Sequence, residues 1–315
     1  MTAPLFSVRR LGHANLFVSD YMRAKDFYVN VVGFEEAYRQ PDNRASFISN
    51  GNTYHDFGLT DVTSKYAPPN QAPGLNHFAF EMENEVELVA GYQRALSSGF
   101  KFKATLDHDC ARALYSSDPD GNEVEIYADV VRDWRAIKTG IIIKEKPKWV
   151  PGVTIEPEAE SLYPGDFEYR RVPDAVFHAK RTTHVALVAD DYEAMFDFYL
   201  RVPGLHVATG GRQADITLFR GNIGIGDFTL IRQQNGMKPG LHHVGIETFS
   251  EAELRQSLKS AGEAGIAIER IVDHPSRYAV TIKDPDGIQL QFYANRDWPL
   301  DSLSGVDAAD RPYLL

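Results

Sequence analysis

The heptapeptide Gly-Leu-Asn-His-Phe-Ala-Phe at residues 74–80 returns later in the chain as Gly-Leu-His-His-Val-Gly-Ile at residues 240–246. His77 and the histidine that corresponds to it lie 166 residues apart. The turn sequence Asp-Pro-Asp-Gly recurs with the same offset, first at residues 118–121 and then at residues 284–287. A fixed offset shared by unrelated local motifs indicates a tandem duplication, and the duplication decides the architecture.

The N-terminal part of each copy repeats in a second register. His13 corresponds to His184, and the Phe-Tyr pair at residues 27–28 corresponds to residues 198–199, each 171 residues later. The second copy is therefore five residues shorter between the two registers. Within each copy, an apolar strand, a helix and three short strands follow one another twice. We predict an α+β fold of four βαβββ modules, paired in two domains.

The domain boundaries follow from the repeat. We assign residues 1–135 to the first domain and residues 181–296 to the second. Residues 136–180 contain several prolines and mixed charges, so we expect a linker that packs across both domains. Residues 297–315 have no counterpart in the first copy, and they fit either a cover over one domain or a loose end.

The composition argues against several classes of function. The chain has 315 residues, a formal net charge of -11, and ordinary fractions of hydrophobic (43%) and charged (24%) residues. The negative charge argues against a nucleic-acid partner and against an anionic membrane surface. No apolar run approaches the roughly 20 residues of a membrane span, and we expect no secretion signal. A single cysteine, Cys110, fits a reducing compartment, so we expect a cytoplasmic protein.

Three side chains of the first copy are candidate metal ligands. His13 and His77 lie on the first strands of the first two modules, and Glu125 follows the Asp-Pro-Asp-Gly turn onto the last strand. A lone histidine of this kind is more often a core residue than a ligand. Two imidazoles and one carboxylate on related inward-facing strands, however, form the 2-His-1-carboxylate triad that binds Fe(II) and leaves three positions open. We therefore predict an iron site in the first domain.

These features together resemble the vicinal oxygen chelate superfamily. The resemblance rests on the paired βαβββ modules, the inward histidines at module starts and the motif Asp-Pro-Asp-Gly-x-x-x-Glu, and it covers nearly the whole chain. The superfamily includes extradiol ring-cleavage dioxygenases, glyoxalase I, fosfomycin-resistance enzymes and metal-free bleomycin-binding proteins. The fold alone therefore leaves the function open.

Further residues resemble the extradiol dioxygenases that are similar to homoprotocatechuate 2,3-dioxygenase. A His-x-Asn motif would place Asn15 beside the metal ligands, and the segment Tyr-His-Asp-Phe-Gly-Leu would supply the acid–base residue, His55. Tyr115 matches a tyrosine that hydrogen-bonds the substrate in that group. His108, in the preceding loop, is a weaker match to another active-site histidine.

The resemblance implies an Fe(II)-dependent extradiol dioxygenase. Such an enzyme cleaves a catecholic ring with O2 to a muconic semialdehyde-type product, and Mn(II) can occupy the same ligands. The implied partners are a small-molecule catechol and O2, with neither nucleic acid nor membrane. A homo-oligomer is expected because family members commonly form one.

The second copy lacks most of this set. Three histidines are kept, as His184, His243 and His274. Four positions change: Asn15 becomes Ala186, His55 becomes Gly226, Tyr115 becomes Thr281 and Glu125 becomes Gln291. A neutral amide is a poor ligand for divalent iron, so we predict an empty or weak second site and a structural role. In the common two-domain extradiol enzymes the C-terminal copy holds the iron, and this chain departs from that pattern.

Three other functions stay open as alternatives. A glyoxalase-type lyase or isomerase would need a fourth protein ligand, a glutamate near the end of the first module, where this chain has the segment around His55. A metal-dependent thiol transferase would need a basic phosphate-binding cluster, and none stands out. A metal-free binding module would explain the second copy but leaves the complete set in the first copy without a role.

Overall fold

The computed structural model of the protein describes residues 3–142, 147–163, 167–234, 236–296 and 306–314. The first domain contains, in chain order, β1 (Arg10–Val18), α1 (Tyr21–Phe27), β2 (Glu36–Arg39), β3 (Ala45–Ile48), β4 (Phe57–Asp61), β5 (Gly74–Glu81), α2 (Glu85–Ser97), β6 (Ala104–Asp107), β7 (Ala111–Ser117) and β8 (Glu123–Asp129), followed by a short strand β9 (Gly140–Ile141). The second contains β10 (Ala179–Ala189), α3 (Tyr192–Arg201), β11 (His206–Thr209), β12 (Ile216–Arg220), β13 (Phe228–Arg232), β14 (Gly240–Thr248), α4 (Glu251–Glu263), β15 (Arg270–His274), β16 (Arg277–Lys283) and β17 (Gln289–Asn295). The predicted α+β fold of four βαβββ modules is confirmed.

The first helix is shorter than the sequence predicts. The pattern indicates a helix over residues 21–31, whereas α1 ends at Phe27 and continues as one π-helical turn, Tyr28–Val32. That turn contains three valines, whose β-branched side chains fit an α-helix less well than straight ones. Gly33 then ends the segment with a left-handed backbone, at φ 94°.

Each domain forms one sheet in which the two modules meet at their first strands. The first sheet has the order β6-β7-β8-β5-β1-β4-β3-β2-β9. Strands β1 and β5 are antiparallel, and each has a parallel partner on its other side, β4 or β8. Tyr38 on β2 and Tyr115 on β7 come from opposite ends of this sheet, yet they belong to one buried cluster. The sheet therefore curls into a cup, with β8, β5 and β1 side by side at its base.

The Phe-Tyr pairs and the Asp-Pro-Asp-Gly turns, which both copies contain, contact each other across the domain boundary. Tyr28 donates its hydroxyl hydrogen to the carboxylate of Asp284 at 3.2 Å, and Tyr199 donates to Asp118 at 2.7 Å. The acceptors are the first aspartates of the two Asp-Pro-Asp-Gly turns. Each turn therefore binds the Phe-Tyr segment of the other domain, which explains why both motifs are duplicated together.

A second reciprocal contact lies at the start of the first strand of each domain. The Asp227 carboxylate accepts the backbone N–H of Leu11 at 2.8 Å, and the Asp56 carboxylate accepts that of Thr182 at 2.7 Å. Both strands have a break in register between this residue and the histidine two positions later. The carboxylate of one domain thus satisfies a backbone donor beside a bulge in the other.

The segment between the domains contacts both of them. Tyr163 donates its hydroxyl to the carbonyl of Met82 in the first domain at 2.7 Å, and Phe177 stacks on Phe292 in the second, with ring centroids 4.2 Å apart. Residues 143–146 and 164–166 of the predicted linker lie outside the described residues. In the part of the chain that the structure describes, no helix is both long and apolar enough to span a membrane.

Replacing Asp227 by asparagine should flatten the dependence of stability on pH. Burial raises the pKa of Asp227 to about 6, even though two backbone N–H groups donate to it. A carboxyl whose pKa is higher in the folded than in the unfolded state stabilises the fold while it is protonated, and this stabilisation is lost as pH rises from about 4 to about 6. At about 1.4 kcal/mol per pKa unit, the loss is at most roughly 3 kcal/mol. The melting temperature of Asp227→Asn should therefore fall less than that of the wild type over this range.

Two further variants serve as controls. Asp56→Asn should behave like Asp227→Asn, because burial also raises the pKa of Asp56 to about 6. Asp174→Asn changes an exposed carboxyl and should follow the wild type. Parallel melting curves against pH for all four proteins would show that the reciprocal carboxylates do not contribute in this way.

Candidate metal centre and active site

The three predicted ligands converge at the base of the first sheet. His13 on β1, His77 on β5 and Glu125 on β8 are all buried. The Nε2 atoms of the two histidines lie 3.1 and 3.0 Å from the same carboxylate oxygen, Glu125 Oε2. One ligand atom from each residue lies within 4.8 Å of the others, and no other group of three such residues with this spacing occurs among the described residues.

The strand register explains this convergence. Ala79 on β5 lies directly opposite His13 on β1 and opposite Glu125 on β8. Alternate residues of a strand share a face, so His77 points to the same side as Ala79. The small methyl group of Ala79 leaves the space between the ligands open. Sequence analysis did not single out Ala79, because only the pairing of three strands shows it between two ligands.

The charges in this cluster fit a divalent cation. Burial alone would raise the pKa of Glu125, but its pairing with His13 and His77 holds that pKa well below its usual range, so the carboxylate is ionised. Its second oxygen, Oε1, is buried and has no hydrogen-bond partner within the described part of the chain. His77 Nδ1 lies 2.9 Å from the Asn76 side-chain oxygen, a contact that orients the ring so that Nε2 faces Glu125. Two imidazole nitrogens and a carboxylate oxygen that face one another are a donor set for a divalent cation.

His55 lies beside the cluster, in the loop that leads into β4. Its ring centroid is 4.0 Å from that of His13, and its Nδ1 is 3.1 Å from the hydroxyl of Tyr38. The other ring nitrogen, Nε2, is buried without a hydrogen-bond partner among the described residues. Burial, followed by the neighbouring His13, holds the pKa of His55 well below its usual range. His55 is therefore neutral at pH 7 and able to accept a proton.

The remaining predicted residues adjoin His77. The ring of Tyr115 meets that of His77 edge-on, with centroids 5.6 Å apart, and its hydroxyl lies 3.0 Å from His108 Nε2. Burial, followed by the Glu125 charge, raises the pKa of Tyr115 well above its usual range, so the hydroxyl keeps its proton. Asn15 Nδ2 lies 3.0 Å from His77 Nε2. The structure thus brings all seven predicted residues together in one site.

A cavity of about 620 Å³ opens onto this site. Its lining includes six of the seven predicted residues, all except His13, together with the stacked rings of Tyr38 and Phe47, whose centroids are 4.5 Å apart. A cavity of this volume, with aromatic walls and a few polar groups, is typical of a small-molecule site.

Sequence analysis missed three residues that contribute to the cavity. Tyr38 contacts His55, Asn76 orients His77, and Lys138 comes from the segment assigned to the linker. Asn76 directly precedes the predicted ligand His77, and this position in the sequence could have indicated a contact with it. Tyr38 and Lys138 carry no local signal, because only the curl of the sheet brings them to the cavity.

The equivalent place in the second domain is filled by protein side chains. The Nε2 atoms of His184 and His243 lie 3.3 Å apart. The Arg277 guanidinium donates to the side-chain oxygen of Gln291 at 3.4 Å, where the first domain has a carboxylate. Arg277 corresponds to Ala111 of the first domain, so the second domain has a buried guanidinium where the first has only a methyl group.

The C-terminal residues 306–314 cover this second site. The ring of Tyr313 stacks on that of His243, with centroids 5.3 Å apart, and its carbonyl accepts the amide of Gln291 at 2.7 Å. Of the two alternatives for the tail, these residues form a cover, and it lies over the second domain. The rest of the tail lies outside the described residues.

Comparison with protein families identifies the fold family. The model of the glyoxalase/bleomycin resistance protein/dioxygenase superfamily matches residues 10–126 and 181–292, which is most of both domains. The chain belongs to this superfamily. The resemblance to the vicinal oxygen chelate group is thereby confirmed.

Individual members of the superfamily cover nearly the whole chain. The catechol-2,3-dioxygenase of Bacillus subtilis (strain 168) is 26% identical over 296 residues, which is 90% of this chain and 96% of that enzyme. Homoprotocatechuate 2,3-dioxygenase from Brevibacterium fuscum has a similar fold, with a TM-score of 0.64 and 18% identity over 96% of this chain and 86% of that one. A Mn(II)-bound glyoxalase from Novosphingobium aromaticivorans has a TM-score of 0.66 and 15% identity over 94% and 86% of the two chains. The names of these relatives describe more than one kind of reaction.

Replacing Ala79 by valine should weaken metal binding. The larger side chain would fill the space between His13 and Glu125, which lie directly opposite this residue on the two flanking strands. We expect the affinity for Fe(II) or Mn(II), measured by anaerobic calorimetry, to fall at least about tenfold. Overpacking should also cost about 1–3 kcal/mol of stability.

A matched control separates these two effects. Ala113 is a fully buried alanine on β7, and Ala113→Val should cost similar stability while leaving one equivalent of metal bound. Metal binding by Ala79→Val as tight as in the wild type would show that the ion does not lie between these three strands.

Proposed function

We propose that this protein is a divalent-metal-dependent extradiol dioxygenase, which cleaves a catecholic ring with O2 to a muconic semialdehyde-type product. The observation that carries the proposal is the arrangement around the cavity. Three protein ligands occupy one side of a candidate metal site, the other side faces the cavity, and a neutral histidine and a protonated tyrosine flank it.

The relatives support the same activity. The Bacillus subtilis relative that covers 90% of this chain is a catechol-2,3-dioxygenase, and biphenyl-2,3-diol 1,2-dioxygenase 2 of Rhodococcus globerulus is 27% identical over 121 residues. The latter match spans 38% of this chain and 63% of that enzyme. Both names describe oxidative cleavage of a ring that carries two neighbouring hydroxyls.

Fe(II) is the metal that the donor set favours. Two imidazoles and one carboxylate, with the remaining positions open, are typical of non-haem Fe(II) oxygenases, and Mn(II) accepts the same ligands. His13, His77 and Glu125 would hold the ion. When bound, it would supply Lewis acidity toward the two vicinal hydroxyls and the redox chemistry that O2 requires.

His55 would handle the proton of one hydroxyl. Its Nε2 is buried and free of hydrogen bonds to the described residues, its pKa is depressed by burial, and it lies next to a ligand. It would accept the proton as the catechol binds and return it to the product oxygen during ring opening. Tyr38 would hold the imidazole ring of His55 in place through its contact with Nδ1.

Tyr115 would stabilise the substrate oxygen on the opposite side of the site. Its hydroxyl keeps its proton because burial raises its pKa, so it can donate a hydrogen bond. His108 would orient this hydroxyl across the 3.0 Å contact. Asn15 would act on the orientation of His77, which it contacts at 3.0 Å.

Both atoms of O2 would enter the product, so this residue set needs no external reductant.

A glyoxalase-type lyase or isomerase fits the site less well. That reaction would use a fourth protein ligand, and the described residues supply only three within 4.8 Å of one another. The group next to His13 is the imidazole of His55 rather than a carboxylate.

Ring cleavage tests the proposal directly. After anaerobic loading with Fe(II), addition of a catechol and O2 should produce a yellow ring-opened product with consumption of one O2. Glu125→Gln should lose both metal and product, because a neutral amide replaces the only carboxylate ligand. His243→Ala alters the corresponding histidine of the second domain and should keep both. Colour that survives Glu125→Gln but disappears in His243→Ala would move the reaction to the second domain.

The role of His55 can be tested separately from metal binding. His55→Gln should bind one equivalent of metal yet lower kcat about a hundredfold or more, the usual range for loss of a general acid–base residue. His108→Gln should have a smaller effect, because His108 acts through the hydroxyl of Tyr115. Full activity of a metal-loaded His55→Gln enzyme would remove His55 from the mechanism.

A further inference from the structure

Lys138 has an unusual environment for an ammonium group. The residue is 6% exposed, yet its side chain lines the cavity that leads to the candidate metal centre. Its Nζ lies 3.5 Å from Asp109 Oδ2 and 5.8 Å from the centre of the Tyr38 ring. No other acceptor for its three hydrogens occurs among the described residues. Within the described part of the chain, this one long contact leaves the buried ammonium incompletely compensated.

Lys138 lies where the two ends of the curled sheet approach each other at the wall of the cavity. Asp109 lies in the turn between β6 and β7, and Tyr38 lies on β2, so the contacts of Lys138 come from the two ends of the sheet. The three ligands lie on the central strands β8, β5 and β1. A ligand that is anchored by its hydroxyls on these strands would share the cavity with the Lys138 ammonium.

The charges that line the cavity favour an anion beside Lys138. Among the described lining residues, Glu125 is the only acid, and it belongs to the metal site. The bases are Lys138 and Lys65, of which Lys65 is exposed. The cavity, at about 620 Å³, is also larger than a bare catechol needs, so it has room for a substituent.

We propose that Lys138 selects catechols whose ring carries an acidic side chain, by binding the carboxylate at the wall of the cavity formed by Tyr38 and Lys138. This inference rests on the proposed function and specifies its substrate class. The carboxylate would complete the hydrogen bonding of the ammonium, and the walls of Tyr38 and Phe47 would contact the ring or its linking carbons.

The pair Lys138–Asp109 could also serve only to hold the ends of the sheet together, and the test separates these roles. The probes are catechols that carry an acetate or propanoate chain, each paired with its neutral methyl ester. Anaerobic binding to the metal-loaded enzyme is measured by calorimetry, and kcat/KM is measured with O2. The variants are Lys138→Met, Lys138→Arg and Asp109→Asn.

A specificity role predicts that the wild type prefers an acid to its ester and that Lys138→Met reduces this preference about tenfold to a hundredfold. Lys138→Arg should keep most of the preference, and Asp109→Asn should keep all of it, because both retain the positive charge. Equal losses for acid and ester in Lys138→Met and Asp109→Asn would overturn the inference in favour of a structural pair. Cleavage of the esters with no preference for the acids would overturn it while leaving the proposed function intact, whereas no binding of either class would overturn both.

Discussion

The structure of the first domain depends on one buried charge. Glu125 is almost fully buried and ionised, and one of its oxygens lies about equally far from the Nε2 atoms of His13 and His77. An isolated carboxylate in such a place would cost many kilocalories, so it persists only where a cation or strong donors compensate it. Three features position the groups that compensate it. They are the register of β8, β5 and β1, the small side chain at Ala79, and the orientation of His77 by Asn76.

The second domain shows how the same fold manages without this charge. Gln291 is neutral, so this site contains no buried carboxylate that a cation would have to compensate. The space is occupied instead by the Arg277 guanidinium, which also lies 3.9 Å above the ring of Tyr293, and by the backbone of Tyr313. Loss of the carboxylate, gain of a fixed cation and closure by the C-terminal residues are therefore linked changes at one site.

Sequence comparison between the copies predicted more of the site than local patterns alone could have done. The offset of 166 residues aligned His77 with the retained His243 and Glu125 with Gln291, and the family resemblance drew attention to His55 and Tyr115. The residues that it missed depend on long-range geometry. Ala79 matters because of its strand register, and Lys138 matters because the sheet curls until its ends meet. The π-helical turn after α1 was missed because a run of apolar residues does not distinguish it from an α-helix.

The reciprocal contacts give the second domain a part in building the first site. The backbone of β1 breaks register between Leu11 and His13, and pairing with β4 begins only at Ala14. Asp227 of the second domain accepts the N–H of Leu11 at 2.8 Å, two residues before the first ligand. Gly12 lies between Leu11 and His13, and any side chain there would collide with the hydroxyl of Tyr127. His13 is therefore aimed by a bulge that one domain forms and the other caps, and this dependence explains how a copy without the ligand set still serves the copy that has it.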